Sequence, residues 1–408
     1  MRFLRCKWRD PQQVFEALFV NSPYAFWLDS ARPGPQSRYS YMGRATQVKE
    51  GLPEDSFTGT WVGYVGYDET PDYPIGMMMK ADCWVTFDHE NRQIEVQDPG
   101  LKQAIEALPS FFDIKLGSLG EGSCHEVTEG SSLDPDLKTA YLSKIDTIQR
   151  FIREGEIYEA CLTQAFKMPY TGSDFKLYKT LRQINPAPYA AYIQTPAFSI
   201  LSSSPERFLS VTQEGSVTSE PIKGTRKKGR TKAETQAQMD ALLASEKERA
   251  ELVMITDLIR NDLAKTAEVG SVRVPIVCQV TEYETLLQLS SVITSQLAPA
   301  YSRLDVFKSC FPGGSISGAP KIRALDILHA VENRPRGVYT GCIGFVSDSG
   351  VMQWNIAIRT LVVHKEKGWV SFGSGGAITA DSDPEKEYEE MRLKARPLFR
   401  AIDGCLAL

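Results

Sequence analysis

Nothing in this chain supplies the close cysteine pairs that a zinc site or a disulfide-stapled domain requires. Its eight cysteines, at 6, 83, 124, 161, 278, 310, 342 and 405, are scattered without C-x-x-C spacing, so reduced thiols are expected. No apolar run is long enough to cross a bilayer, and the opening Met1-Arg2-Phe3-Leu4-Arg5-Cys6-Lys7 lacks a signal-peptide core. The expectation is a cytoplasmic protein with no membrane contact. Positive charge is in deficit too: 46 Lys and Arg against 51 Asp and Glu give a formal net charge of −5, and no general reason to expect nucleic acid. Histidine is scarce, and none of His89, His125, His329 or His364 lies in a motif. Internal repeats and low-complexity tracts are also missing.

What is present is an ordinary globular composition, 42% hydrophobic, on 408 residues. That length exceeds what one core usually serves, so two lobes or a large composite core are expected. Residues 1–115 carry short aromatic and β-branched runs, such as Thr60-Trp61-Val62-Gly63-Tyr64-Val65 and Cys83-Trp84-Val85-Thr86-Phe87, and form a β-rich N-terminal lobe. The aperiodic Gly-, Ser- and Glu-rich stretch within 116–133 is a linker, and 134–408 forms the second region. There, Asp134 and Pro135 start a helix with Tyr141, Ile145, Ile148 and Ile152 on one face and Gly155 as its stop. Strands are expected at 159–167, 198–202, 206–212, 215–219, 340–347, 351–364 and 368–374, with one long helix over 233–264. Because strands and helices do not alternate as βαβ units, the fold class is α+β with a mainly antiparallel core.

Chemistry gathers around Glu220-Pro221-Ile222-Lys223-Gly224-Thr225-Arg226. A lysine beside a Gly-Thr turn can attack carbon only when neutral, which requires desolvation or a neighbouring cation to lower its pKa. Read alone, Lys223 equally opens the basic run Lys223, Arg226, Lys227, Lys228, Arg230 and Lys232, a solvated face or a nucleic-acid stripe. Glu248 with Glu251, and Glu387 with Glu390, are spaced i,i+3, so each pair leaves one face of a helix. Two such helices can make an acidic pocket for a hard cation, although an isolated pair is ordinarily surface charge. Arg359 offers the fork that matches a carboxylate, and Gly375 with Gly376 lets backbone N–H groups approach an anion.

Pro221-Ile222-Lys223-Gly224-Thr225 is followed, in order, by Arg249-Ala250-Glu251-Leu252 with Asp257-Leu258-Ile259-Arg260-Asn261-Asp262. Phe311-Pro312-Gly313-Gly314-Ser315, Ser317-Gly318-Ala319-Pro320-Lys321 and Gly373-Ser374-Gly375-Gly376-Ala377 complete the set. From about Asp134 to Asp403 the chain thereby resembles the chorismate-binding enzyme family. The resemblance implies a two-lobed antiparallel β-sandwich core flanked by helices, and Mg2+ with Glu251 and Glu390 as direct ligands and Glu248 and Glu387 acting through water. It further implies that Thr225, Tyr339, Arg359, Gly375, Gly376 and Lys394 bind chorismate. Glu206, in Ser203-Ser204-Pro205-Glu206, matches the acid that protonates the departing C4 hydroxyl, which calls for a pKa raised by burial.

Three positions discriminate within the family. Members that add water at C2 usually carry a lysine base where this chain has Glu159. Anthranilate-forming members usually have alanine where it has Lys223; in the branch that aminates C4, that lysine is thought to attack C2 before ammonia enters. Many relatives have histidine where this chain has Gln288, which cannot transfer a proton, so pyruvate elimination is the step most threatened. The resemblance therefore implies 4-amino-4-deoxychorismate as product, on the way to 4-aminobenzoate and folate. No glutaminase segment is recognisable, so ammonia would come from a separate glutamine amidotransferase subunit. The rivals are anthranilate formation and, from another class, nucleic-acid binding by 223–232. Trp27-Leu28-Asp29-Ser30 and Arg38-Tyr39-Ser40-Tyr41 are only a partial likeness to a tryptophan site.

Overall fold

Tyr141, Ile145 and Ile148 are fully buried along the helix Pro135–Arg153, on the face their spacing predicts, and the chain leaves that helix through Gly155 at φ +78°. That left-handed backbone suits a residue without Cβ. The computed structural model describes residues 3–31, 37–53, 57–109, 135–283 and 286–406, so the expected linker 116–133 lies outside the described residues. Helices Asp174–Ile184, Lys321–Glu332 and Pro384–Leu406 join Pro135–Arg153 over the sheet. They pack Leu177, Leu181, Met391 and Leu398 against Leu162, Phe166, Leu361 and Phe372.

Every strand pairing among the described residues is antiparallel, and the strands can be followed as one continuous ribbon. It runs from Glu159–Pro169 to Trp369–Ile378, Thr360–His364, Phe198–Ser204 and Tyr189–Gln194. It then passes through four strands of the N-terminal stretch, Ala25–Asp29, Tyr39–Glu50, Gly76–Asp88 and Thr60–Val65. From there it continues through Cys342–Ser347, Met352–Ile356, Arg207–Val211 and Ser216–Glu220 to Leu286–Gln296, which pairs with both Ile222–Lys227 and Arg273–Glu282. N-terminal strands thus occupy the middle of the ribbon. The ribbon curls on itself, because Ile193 and Ile200 share an interior with Phe26, Tyr64, Met77, Ile343 and Phe345. The class is α+β, as expected.

Two expected elements are broken. The helix over 233–264 is two, Lys232–Ala244 and Glu246–Ala264. Ser245 between them is extended (ψ 104°), and its side chain accepts from the Glu248 N–H, so one residue ends the first helix and caps the second. The strand over 351–364 is also two, Met352–Ile356 and Thr360–His364, separated where Arg359 adopts φ +50°. Apolar periodicity alone registers neither break. The seven described cysteines are free.

Candidate active site

Gly224 (φ +76°) makes a bulge in Ile222–Lys227, where the register against Leu286–Gln296 shifts between Lys223 and Thr225. Lys223 is mostly buried and Thr225 is exposed. Thr225 is therefore not brought to the buried cluster. Lys223 Nζ donates to Glu159 Oε1 at 3.0 Å and lies 3.9 Å from Glu251 Oε2. Burial pulls the pKa of this ammonium down, but the carboxylates of Glu159 and then Glu251 outweigh it and hold the group well above the usual lysine value. The lowered pKa that attack on carbon requires is therefore opposed here by two acids that face the amine, Glu159 and Glu251.

Glu206 sits in the turn between Phe198–Ser204 and Arg207–Val211, pinned where Ile356 N–H donates to its carbonyl at 3.1 Å. Burial pushes its carboxyl up to about 7, against opposing pulls from a Ser315 hydrogen bond, Lys223 and Lys394. Ser315 belongs to the 3-10 turn Gly314–Ile316, which Lys321 anchors: its Nζ donates to Cys310 O (2.9 Å), Pro312 O (2.8 Å) and the Asp262 carboxylate. The Gly313-Gly314-Ser315 and Asp262 motifs thereby form one wall of a small cavity with Glu206, Ser219 and Pro221. Near neutrality Glu206 can give a proton to a leaving group.

The remaining acids converge on cations. Lys247 Nζ donates to Glu387 Oε1 at 2.8 Å and stands 3.9 Å from Glu251 Oε1, and Ser382 Oγ also donates to Glu387. Lys394 Nζ is 2.6 Å from Glu390 Oε1 and donates to Gly375 O at 3.2 Å. A Cβ on Gly376 would sit 3.6–3.7 Å from Lys394 Nζ, Glu387 Oε2 and Glu390 Oε1, so the glycine keeps that space open. Burial raises the pKa of Glu251, whereas Lys394 chiefly lowers that of Glu390. Glu248 is turned elsewhere, clamped by Arg226 through two bonds of 2.8 and 3.0 Å. Among the described residues no three His, Cys, Asp or Glu already converge as a metal cluster. The donor set of Glu251, Glu387 and Glu390 is nevertheless all oxygen, with Glu251 and Glu387 flanking the Lys247 ammonium and Glu390 paired with Lys394, which fits a hard cation that keeps part of its water shell.

Arg359 is half-buried, and its guanidinium has no hydrogen bond or ion pair with any other described residue; desolvation lowers its pKa. An unpaired, half-buried cation on a left-handed backbone is costly, and its guanidinium is available to an anion. Tyr339 packs its ring over Gly373, where a Cβ would come within 2.1 Å of it, and precedes Thr340 at φ +64°. Sequence reasoning missed Lys247, although its i,i+4 spacing to Glu251 was visible, and it missed that Glu159 would pair with Lys223. The basic run is no free stripe: Lys223 is turned inward, Arg226 holds Glu248, and Lys228 reaches Glu282 at 2.5 Å.

These features define a chorismate-binding enzyme: the family profile, described as chorismate binding enzyme, matches residues 4–400, and the chain belongs to that family. The match begins far upstream of Asp134, where the motif resemblance started. Among relatives, the chain is 35% identical to aminodeoxychorismate synthase of Streptomyces griseus, covering 98% of this chain and 64% of that protein. It is 36% identical to the chloroplastic aminodeoxychorismate synthase of Arabidopsis thaliana, covering 86% and 41%. The chain spans less than two thirds of the length of these relatives. Anthranilate synthase component 1 of Aquifex aeolicus is 34% identical, with 87% of this chain and 76% of that protein covered. The crystal structure of anthranilate synthase component I from Streptococcus pneumoniae superposes with TM-score 0.69 at 26% identity, over 97% of this chain and 92% of that one. Among the described residues no helix is long and apolar enough to cross a membrane.

Proposed function

We propose that this chain converts chorismate and ammonia to 4-amino-4-deoxychorismate, for 4-aminobenzoate and folate synthesis, with ammonia delivered by a glutamine amidotransferase subunit. The observation that carries this is the mostly buried Lys223 amine, 3.0 Å from Glu159 and 3.9 Å from Glu251, near Glu206, whose carboxyl burial pushes up to about 7. Arg359, with Tyr339 and the Gly375-Gly376 backbone, takes a substrate carboxylate, the fork matching two oxygens. Glu251, Glu387 and Glu390 would hold Mg2+, partly through water, and the ion when bound would supply positive charge against a substrate carboxylate. Lys223, its extra proton released to solvent, attacks C2 while both conjugated ring double bonds shift toward C4 and the C4 hydroxyl leaves as water with the Glu206 proton. Ammonia then bonds to C4, both double bonds shift back, the C2–N bond breaks with its electron pair returning to the Lys223 amine, and the proton that the new C4 ammonium gives up restores Glu206. The enolpyruvyl group stays in place.

Anthranilate formation is the second reading, favoured by the identity to anthranilate synthase component 1 of Aquifex aeolicus. Against it, Gln288 is buried and has no proton to relay. A mass-resolved product assay with chorismate, Mg2+ and excess ammonium decides. The expected result is 4-amino-4-deoxychorismate, with most activity lost in Lys223→Ala. Anthranilate from the wild type, or an undiminished Lys223→Ala, would sink the lysine-mediated reading.

A further inference from the structure

The carboxylate of Glu159 is 1% exposed and only half used. Oε1 accepts the bond from Lys223 Nζ at 3.0 Å, while Oε2 is buried with no hydrogen-bond partner. A buried carboxylate oxygen left without a donor is costly, and in a native protein it calls for an explanation such as a catalytic role or a bound partner that supplies the missing donor. The strand Glu159–Pro169 fixes its position: Glu159 is held opposite Ala319, and the neighbouring Cys161 feels the charges of both Lys223 and Lys394. The free oxygen therefore belongs to the same buried cluster as the candidate nucleophile.

Of the reactants in the proposed reaction, chorismate offers this site two more carboxylates, which an acid repels, and a C4 hydroxyl, which the proposed reaction assigns to Glu206, whereas the nitrogen donor brings only N–H groups. We infer that Glu159 is the receptor for the nitrogen donor: Oε1 braces Lys223, and Oε2 accepts one N–H of ammonia, leaving the nitrogen lone pair free to attack. This rests on the amination reading above and adds a site for its second substrate. A lysine at this position could not accept such a bond, and a neutral amide would accept it more weakly than a carboxylate does.

The test measures initial rates with chorismate saturating and ammonium chloride varied at fixed pH and ionic strength, for wild type, Glu159→Gln and Glu159→Asp. Glu159→Gln, which keeps the volume, is expected to raise the KM for ammonium by roughly tenfold or more, the usual worth of a hydrogen bond to a charged group. The KM for chorismate should stay within about twofold, and Glu159→Asp should recover part of the loss. An unchanged ammonium KM with a lower kcat would mean that Glu159 only braces Lys223, and would overturn the inference. A parallel rise in both KM values with a lowered melting temperature would overturn it equally, by assigning a structural role. Should Glu159→Gln fail to fold, Glu159→Asp alone must raise the ammonium KM. A wild type that forms no 4-amino-4-deoxychorismate removes the reading and this inference together, whereas a productive wild type beside a variant with normal ammonium KM removes the inference alone.

Discussion

At Glu206 burial does two things at once: it keeps a proton on the acid near neutrality, and it makes the fold depend on that proton. The carboxyl rises from an ordinary 4.5 to about 7, so the folded chain retains a proton that the unfolded chain has already released. Between those values the native state binds more protons than the unfolded one, and stability must fall as pH rises. A shift of this size corresponds to a loss on the order of 3 kcal/mol across that window. Urea midpoints of the ligand-free chain should therefore drop from pH 5 to pH 8, and Glu206→Gln should flatten that slope. The same variant should lose about 10²–10⁴-fold in kcat, the usual worth of a positioned acid. Wild-type kcat should decline above pH 7 as the acid ionises. A Glu206→Gln enzyme with an unaltered stability slope would show that the carboxyl is already ionised in the folded chain.

Among the elements, the helix break at Ser245 is where local sequence and function meet. The cap begins the helix that carries Glu248 and Glu251, so the first turn of that helix is fixed beside Lys223 and Arg226. Ser245→Ala removes an acceptor for the Glu248 N–H and should cost about 1 kcal/mol, read as a lower urea midpoint with unchanged slope. No change in midpoint would mean that packing of Leu252 and Ile255, not the cap, sets the start. The break also shows what sequence could and could not reveal. Strongly periodic segments such as Tyr141, Ile145 and Ile148 announced their burial, and ordered motifs named Lys223 and Glu251, which the fold brings within 3.9 Å of each other. Ser245 was invisible because both neighbours are good helix formers, so only the cap geometry marks the boundary. The strand break at Arg359 was invisible for the opposite reason: its apolar neighbours read as one strand, while its left-handed backbone places it between two. The pairing of Lys223 with Glu159 joins positions 64 residues apart and depends on the register of separate strands. No local pattern encodes it.

For the whole molecule, the decisive feature is that the N-terminal stretch closes the sheet from its middle. Ala25–Asp29 hydrogen-bonds along Tyr189–Gln194, and Thr60–Val65 along Cys342–Ser347, so the strands of residues 1–115 bridge two sections of the later chain. Removing them would bare two long strand edges and strip Phe26, Tyr64 and Met77 from an interior shared with Ile193, Ile200 and Phe345. Interior and ladder are lost together, so the chain should unfold as one cooperative unit. Tryptophan fluorescence and far-UV circular dichroism should then give coincident urea transitions for the intact chain. The fragment 134–408 should show no cooperative transition and should bind a hydrophobic dye. Coincident, cooperative unfolding of that fragment would mean instead that the later chain closes its own core, with the N-terminal strands added to a sheet that already stands.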